Sequence, residues 1–133
     1  MKGQKVLFSS ASDQWSTPAH VYNALDEEFN FNFDPCPLNA APTFNGLIVA
    51  WGTKTFVNPP YSNIAVWCEK AFTEAAQGKI VVMLIPSRTD TKYWHEYIMK
   101  ADEIRFLRGR LKFGNAKNSA PFPSCVVIFR GRK

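Results

Sequence analysis

Apolar residues recur along the chain at periods that name its elements. Val21, Leu25 and Phe29 lie four apart, directly after Ser16-Thr17-Pro18. That arrangement predicts a helix with Thr17 as N-cap, Pro18 at the first helical position and one apolar face. Asp26-Glu27-Glu28 would face outward near its C-terminal end, where the helix dipole disfavours acids, so local propensity does not explain them. Phe31-Asn32-Phe33-Asp34 alternates as a strand ending at Asp34, before Pro35-Cys36-Pro37. Gly46 to Trp51 suits either a strand or a buried loop. Beyond it, Ile64, Trp67, Cys68, Ala71, Phe72 and Ala75 repeat at helical spacing between Ser62, a possible cap, and Gly78, a stop.

The continuous run Ile80-Val81-Val82-Met83-Leu84-Ile85 predicts a central strand covered on both faces by helices. A third helix is expected from Thr91 to Lys100, with Trp94 and Ile98 inward. Glu103 to Leu107 alternates as a strand, and Arg108-Gly109-Arg110-Leu111-Lys112-Phe113 turns through Gly109, so the two read as a hairpin presenting a cationic face. Ser124 to Phe129 is the last strand. Helices and strands alternate for most of the length and the end is β-rich. An α/β sheet with a parallel centre and an antiparallel C-terminal edge is therefore expected. Both loops with ligand potential, after Asp34 and after Val57, would lie at one end of that sheet.

Length and composition fit one domain: 133 residues with 46% hydrophobic content form an ample core. Residues 1–12 read as a flexible arm and 13–133 as the folded domain. No run is long enough to span a bilayer and the N-terminal apolar stretch is too short for a secretory signal, so a cytoplasmic protein is expected. Cys36, Cys68 and Cys125 lack metal-ligand spacing and read as reduced, packed thiols; no metal is expected, and His95 has no ligand set around it. The net charge of +5 is unevenly distributed. Residues 1–85 hold five lysines against seven acids, a net of −2, and residues 86–133 hold eleven Lys and Arg against four acids, a net of +7. A basic C-terminal third points to a polyanion.

The chemistry concentrates in Thr55-Phe56-Val57-Asn58-Pro59-Pro60-Tyr61-Ser62. Two prolines after a short strand hold the chain in an extended turn, which freezes the Asn58 side-chain oxygen and the Pro59 carbonyl as two acceptors. A planar exocyclic amine is a poor nucleophile because its lone pair is delocalised. Two fixed acceptors on its hydrogens favour the pyramidal, positively charged nitrogen of a transition state, without a proton-abstracting residue. Tyr61 offers a flat face for a base, a contact worth roughly 1–3 kcal/mol. Asp34 and Arg88, each at a strand's carboxyl end, are further candidate ligand contacts; a capping Asp and an ordinary loop Arg are the plain alternatives.

Asn58-Pro59-Pro60-Tyr61 is similar to the catalytic signature of amino-group methyltransferases, and the whole chain resembles the phage-type DNA N-6-adenine methyltransferase family. The resemblance is carried by Asp13-Gln14-Trp15-Ser16-Thr17-Pro18, Phe33-Asp34-Pro35-Cys36, Asn58 to Ser62, Arg88-Thr89-Asp90-Thr91, Ile104-Arg105-Phe106, Gly109 to Phe113 and Ala120-Pro121-Phe122-Pro123-Ser124. It implies a compact Rossmann-like sheet, S-adenosylmethionine as methyl donor and the N6 amine of an adenine extruded from double-stranded phage or prophage DNA as acceptor. It also implies Asn58, Pro59, Pro60 and Tyr61 as the catalytic group, and Trp15, Thr17, Asp34, Pro35, Cys36 and Asn39 around the cofactor. No Asp or Glu occurs between Pro35 and Cys68, so Asn39 or Asn45 is left to meet the ribose hydroxyls. Phosphate contacts are expected from Arg88, Arg105, Arg108, Arg110, Lys112 and Lys117. With no separate target-recognition domain, specificity is low or comes from a homodimer. A non-catalytic DNA-binding module and a protein glutamine N-methyltransferase remain as alternatives.

Overall fold

The computed structural model describes residues 16–38, 40–113 and 119–131; the expected arm, Trp15, Asn39 and Lys117 lie outside the described residues. The elements are α1 (Ala19–Phe29), β1 (Lys54–Val57), α2 (Ile64–Ala75), β2 (Ile80–Pro86), α3 (Lys92–Glu96), β3 (Glu103–Phe106) and β4 (Ser124–Arg130). Together they form a mixed α/β fold around a four-stranded open sheet of order β1-β2-β4-β3. Among the described residues no helix is long and apolar enough to cross a membrane.

β2 is the central strand that its uninterrupted apolar run predicts, buried from Val81 to Pro86. One face, through Val81, Met83 and Ile85, packs against Trp67, Cys68 and Ala71 of α2 and against Trp94 and Ile98. The other, through Val82 and Leu84, packs against Leu25 and Phe29 of α1. Helices cover only part of that second face, because Leu111, Phe113 and Phe122 complete it from irregular chain. All three cysteines are buried free thiols, with burial pushing the Cys68 thiol up to about 12 and the Cys125 thiol up to about 11.

β1 runs parallel to β2, and β4 is antiparallel to both β2 and β3. The antiparallel strand is therefore inside the sheet and not at its edge, as the sequence suggested. β4 is buried from Ser124 to Phe129 and needs partners on both sides, whereas β3 is only partly buried and tolerates the edge. Nor do residues 108–113 form a hairpin with β3, whose partner is β4. Gly109, in the left-handed region at φ 76°, turns the chain away, and Leu111 and Phe113 drop into the core. Arg108, Arg110 and Lys112 stay exposed. Being antiparallel to β4, β3 runs in the same sense as β1 and β2, so Val57, Pro86 and Phe106 all end at one rim.

Helix boundaries also shift. Pro18, not Thr17, is the N-cap of α1, and its carbonyl accepts from the Val21 and Tyr22 N–H groups at 3.1 and 3.0 Å. A 3-10 turn at Tyr61–Asn63 precedes α2, so the α-helix begins two residues past Ser62. The expected third helix breaks into α3, capped by Thr91, and a 3-10 turn at Ile98–Lys100. Two of the three acids of α1 acquire an explanation that local propensity lacked: the Asp26 carboxylate accepts from the Phe31 N–H at 2.9 Å, and Glu28 pairs with Arg105 at 2.7 Å.

Gly46 to Trp51 is a loop, not a strand, and its end is anchored by a buried acid. The Glu74 carboxylate, in a residue 4% exposed, accepts from the Trp51 N–H at 3.0 Å and from Lys70 and Lys79. Trp51 in turn stacks on Trp67 at 6.3 Å and donates its indole N–H to the Gly46 carbonyl at 2.7 Å. A Cβ at Gly46 would collide with the Pro35 carbonyl. The loop is thereby pressed against the chain that follows Asp34.

Candidate active site

Asp34 is brought beside β1 by a single parallel bridge, Phe33 to Thr55, in place of the strand that its alternating pattern predicts. The Phe56 N–H donates to the Phe33 carbonyl at 3.0 Å, and the Asn32 N–H to the Lys54 carbonyl at 2.8 Å. The Asn32 side chain extends this join, accepting from the Lys54 N–H at 3.1 Å and donating to Thr53 Oγ1 at 2.9 Å. Pro35 has no N–H to continue the ladder, so pairing stops there. Asp34 and Asn58 consequently leave the sheet side by side.

Between them opens a cleft of about 410 Å³. Thr17, Tyr22 and Asn23 wall it from the start of α1, Asp34, Cys36 and Leu38 from the following loop, and Phe56 and Asn58 from β1 and its exit. Asp34 Oδ1 accepts from the Cys36 N–H at 2.8 Å, closing a tight turn. The carboxylate itself is open to the cleft, but the surrounding protein partly desolvates it and raises its pKa above the ordinary value, against the opposing pull of the Cys36 N–H. The Cys36 thiol is buried and raised far beyond physiological pH, so Cys36 lines the wall without offering a nucleophile. Pro35 is fully buried behind the cleft.

Asn58 is 8% exposed and its amide is held at both ends. Nδ2 donates to Thr17 Oγ1 at 3.1 Å, and Oδ1 accepts a long bond from the Tyr61 hydroxyl at 3.4 Å. These contacts set Nδ2 as the donor end of the amide and Oδ1 as its acceptor end. Thr17 is thus tied to the motif from 41 residues away rather than spent on capping α1. Pro59 is buried, and Pro60 is extended at φ −60°, ψ 134°, the stiff exit that two prolines predict. The Tyr61 ring stands nearly perpendicular to Phe122 at 5.4 Å and Phe113 at 6.2 Å. Burial pushes its hydroxyl well above the usual tyrosine value, which leaves it a hydrogen-bonding group and not a base.

The expected cationic residues separate into two places. The Arg88 guanidinium lies 5.8 Å from the Phe122 ring, next to the Tyr61 cluster. Arg108 and Arg110 are exposed beyond β3, and Lys112 is exposed between Leu111 and Phe113. Arg105, placed in the same row by the sequence, is ion-paired in the structure. It makes two bonds of 2.7 Å to Glu28, a further bond of 2.6 Å to Glu103, and lies over Phe29, on the α1 side of the sheet. Two carboxylates balance its charge. Tyr22, Asn23, Leu38 and Phe56 line the cleft although their sequence pattern marks only helix face, loop and strand. Among the described residues no three His, Cys, Asp or Glu side chains cluster as metal ligands would.

Over residues 4–131 the chain matches the family model described as DNA N-6-adenine-methyltransferase (Dam). It is also similar to the DNA N-6-adenine-methyltransferase of Haemophilus phage HP1 (strain HP1c1), with 30% identity over 138 residues that cover 90% of this chain and 80% of the relative.

Proposed function

The chain belongs to the DNA N-6-adenine-methyltransferase family, and on that basis we propose that it transfers a methyl group from S-adenosylmethionine to the N6 amine of adenine in double-stranded DNA. The observation that carries the reading is the Asn58 amide, oriented by Thr17 and Tyr61 at the mouth of a cleft that also holds Asp34. The sheet is read as Rossmann-like, with its ligand outside the carboxyl ends of parallel strands.

The cleft residues suit the proposed donor. Its volume lies within the usual range for small-molecule sites. Asp34 presents a carboxylate to an ammonium or hydroxyl donor, and Tyr22 and Phe56, edge to face at 5.2 Å, supply aromatic wall. Bound there, S-adenosylmethionine supplies an electrophilic methyl carbon. Asn58 Oδ1 and the Pro59 carbonyl accept from the two N6 hydrogens of the adenine and stabilise the positive charge that develops on nitrogen. Tyr61 faces the base. Arg88, Arg108, Arg110 and Lys112 neutralise phosphates while the nucleotide leaves the stack, an extrusion that costs roughly a few kcal/mol. This basic rim and the nature of the relatives favour adenine in DNA over a protein glutamine amide.

The reading is tested with purified protein, labelled S-adenosylmethionine and plasmid DNA free of N6-methyladenine. Label in N6-methyladenine is expected; label in protein, or none at all, would refute it. Calorimetry adds a residue-level check, because Asp34→Asn removes the cleft's exposed negative charge and is expected to weaken donor binding by roughly tenfold. Thr17→Val deletes the acceptor for Asn58 Nδ2. Loss of one such bond lets the amide rotate and is expected to lower kcat by about tenfold, with the melting temperature lower by only roughly 3–5 °C. A Thr17→Val enzyme as fast as the parent would show that the amide needs no support.

A further inference from the structure

Three strand exits share the rim that carries Asn58. β1 leaves through Asn58, β2 through Arg88, and β3 through Phe106-Leu107-Arg108. The rim is laced together by the Ser87 N–H on the Pro123 carbonyl at 2.9 Å and the Leu107 N–H on the Ser124 carbonyl at 3.1 Å. β1 and β3 are three strand spacings apart, so the ends lie roughly 14 Å from each other.

Phe106 is 64% exposed, and it is the one exposed aromatic residue among the described residues. Exposed apolar side chains occur singly on any surface. What distinguishes this one is its backing and its neighbours. Its ring stacks at 6.4 Å and 28° on Trp94, which is 3% exposed, so one face is supported by the core while the ring remains largely in solvent. Arg108 and Arg110 follow it in the chain, and Arg88 stands at the neighbouring exit of the rim. A supported, exposed aromatic ring on a rim that also carries cations has the composition of a surface on which nucleic-acid bases stack.

The competing occupant, a second copy added along β3, is disfavoured by that strand's own edge. It is only four residues long, and Glu103 and Arg105 are locked into ion pairs with each other and with Arg130 and Glu28. Short, charged edges resist strand pairing.

We propose that Phe106, backed by Trp94, is a DNA-contacting residue that stacks on the bases beside the extruded adenine and holds open the gap it leaves. The proposal rests on the reading that duplex DNA is the substrate. An apolar side chain wedged between base steps stabilises an unstacked duplex, and such help is needed only where the bases begin stacked.

The test compares the parent, Phe106→Ala and Phe106→Trp on one plasmid, native and heat-denatured. Phe106→Ala is expected to lower methylation of the duplex by about tenfold and of the denatured strands several-fold less, with Phe106→Trp restoring the duplex rate. No loss, or equal losses on both forms, would overturn the proposal. Anisotropy with a labelled duplex fragment runs alongside. If the parent transfers no methyl group, the substrate reading fails by itself, while unchanged duplex affinity in Phe106→Ala overturns the stacking contact separately. Light scattering closes the remaining route: a parent dimer that becomes a monomer in Phe106→Ala would assign the ring to a contact between copies and likewise overturn it.

Discussion

Asn58→Ala is expected to lower methyl transfer by about 10²–10³-fold, with the fold intact and donor affinity largely retained. A loss of that size matches what the side chain contributes. Asn58 is buried and its Nδ2 is committed to Thr17; in the proposed reaction its Oδ1 is the preorganised acceptor for an amine that becomes positive only as the new bond forms. Alanine removes stabilisation of that charge without disturbing the hydrophobic faces of the sheet. Single-turnover rates measured beside melting curves separate the two effects. Asn58→Asp sharpens the comparison, since it retains an oxygen acceptor but loses the donor to Thr17, and it should fall between alanine and the parent. Full activity in Asn58→Ala would remove the amide from the mechanism.

Glu74→Gln is expected to destabilise the protein by about 3 kcal/mol, enough to lower its melting temperature by roughly 10 °C. Burial alone would push the Glu74 carboxyl up, but the bonds from Lys70, Lys79 and the Trp51 N–H overcome that and hold it at about 2, against 4.5 without the fold. A depressed acid contributes stability that is fully present above its unfolded value and is lost as pH falls through its folded one. The window is therefore from about 4.5 down to about 2. The lowering from 4.5 to about 2 again corresponds to about 3 kcal/mol over that window. Denaturant unfolding at pH 6, 4 and 3 should show the parent losing stability more steeply than Glu74→Gln. Equal pH slopes would mean that the two lysines do not hold the carboxylate in its charged form. A looser residue 46–51 loop would also release its pressure on Pro35, linking this distant anchor to the wall of the cleft.

Several features were legible in the chain because they are local. The Pro-Pro exit after β1, the apolar run of β2 and the helical repeat from Ile64 to Ala75 each depend on neighbours within one or two turns. The alternation of Phe31 to Asp34 misled as to length, since the structure retains one bridge where a strand was expected. Asn32 uses its side chain to complete that join, and Pro35 ends it, neither of which alternation records.

Residues whose partners lie far away in sequence were not legible in this way. Thr17 has the composition of an N-cap and works instead as a support for Asn58. Arg105 reads as one more cation in a basic row but is neutralised by Glu28, 77 positions earlier. Asp26 and Glu28 of α1 looked misplaced until their partners were adjacent. Glu74 shows nothing in sequence beyond an ordinary helix residue, because its role arises only when Trp51 and Lys79 converge on it.

By itself the sequence determined α1, α2 and the four strands of the sheet, the two-sided burial of the central strand, the amide-proline-proline-aromatic motif and the basic character of the last third, because period, turn chemistry and charge are properties of short stretches. Only the tertiary structure decided that β4 lies inside the sheet, that Asp34 and Asn58 border one cleft, and that Phe106 shares their rim. Those outcomes depend on which strands become neighbours and in which direction they run, and that is settled by burying both faces of β2 and β4 at once.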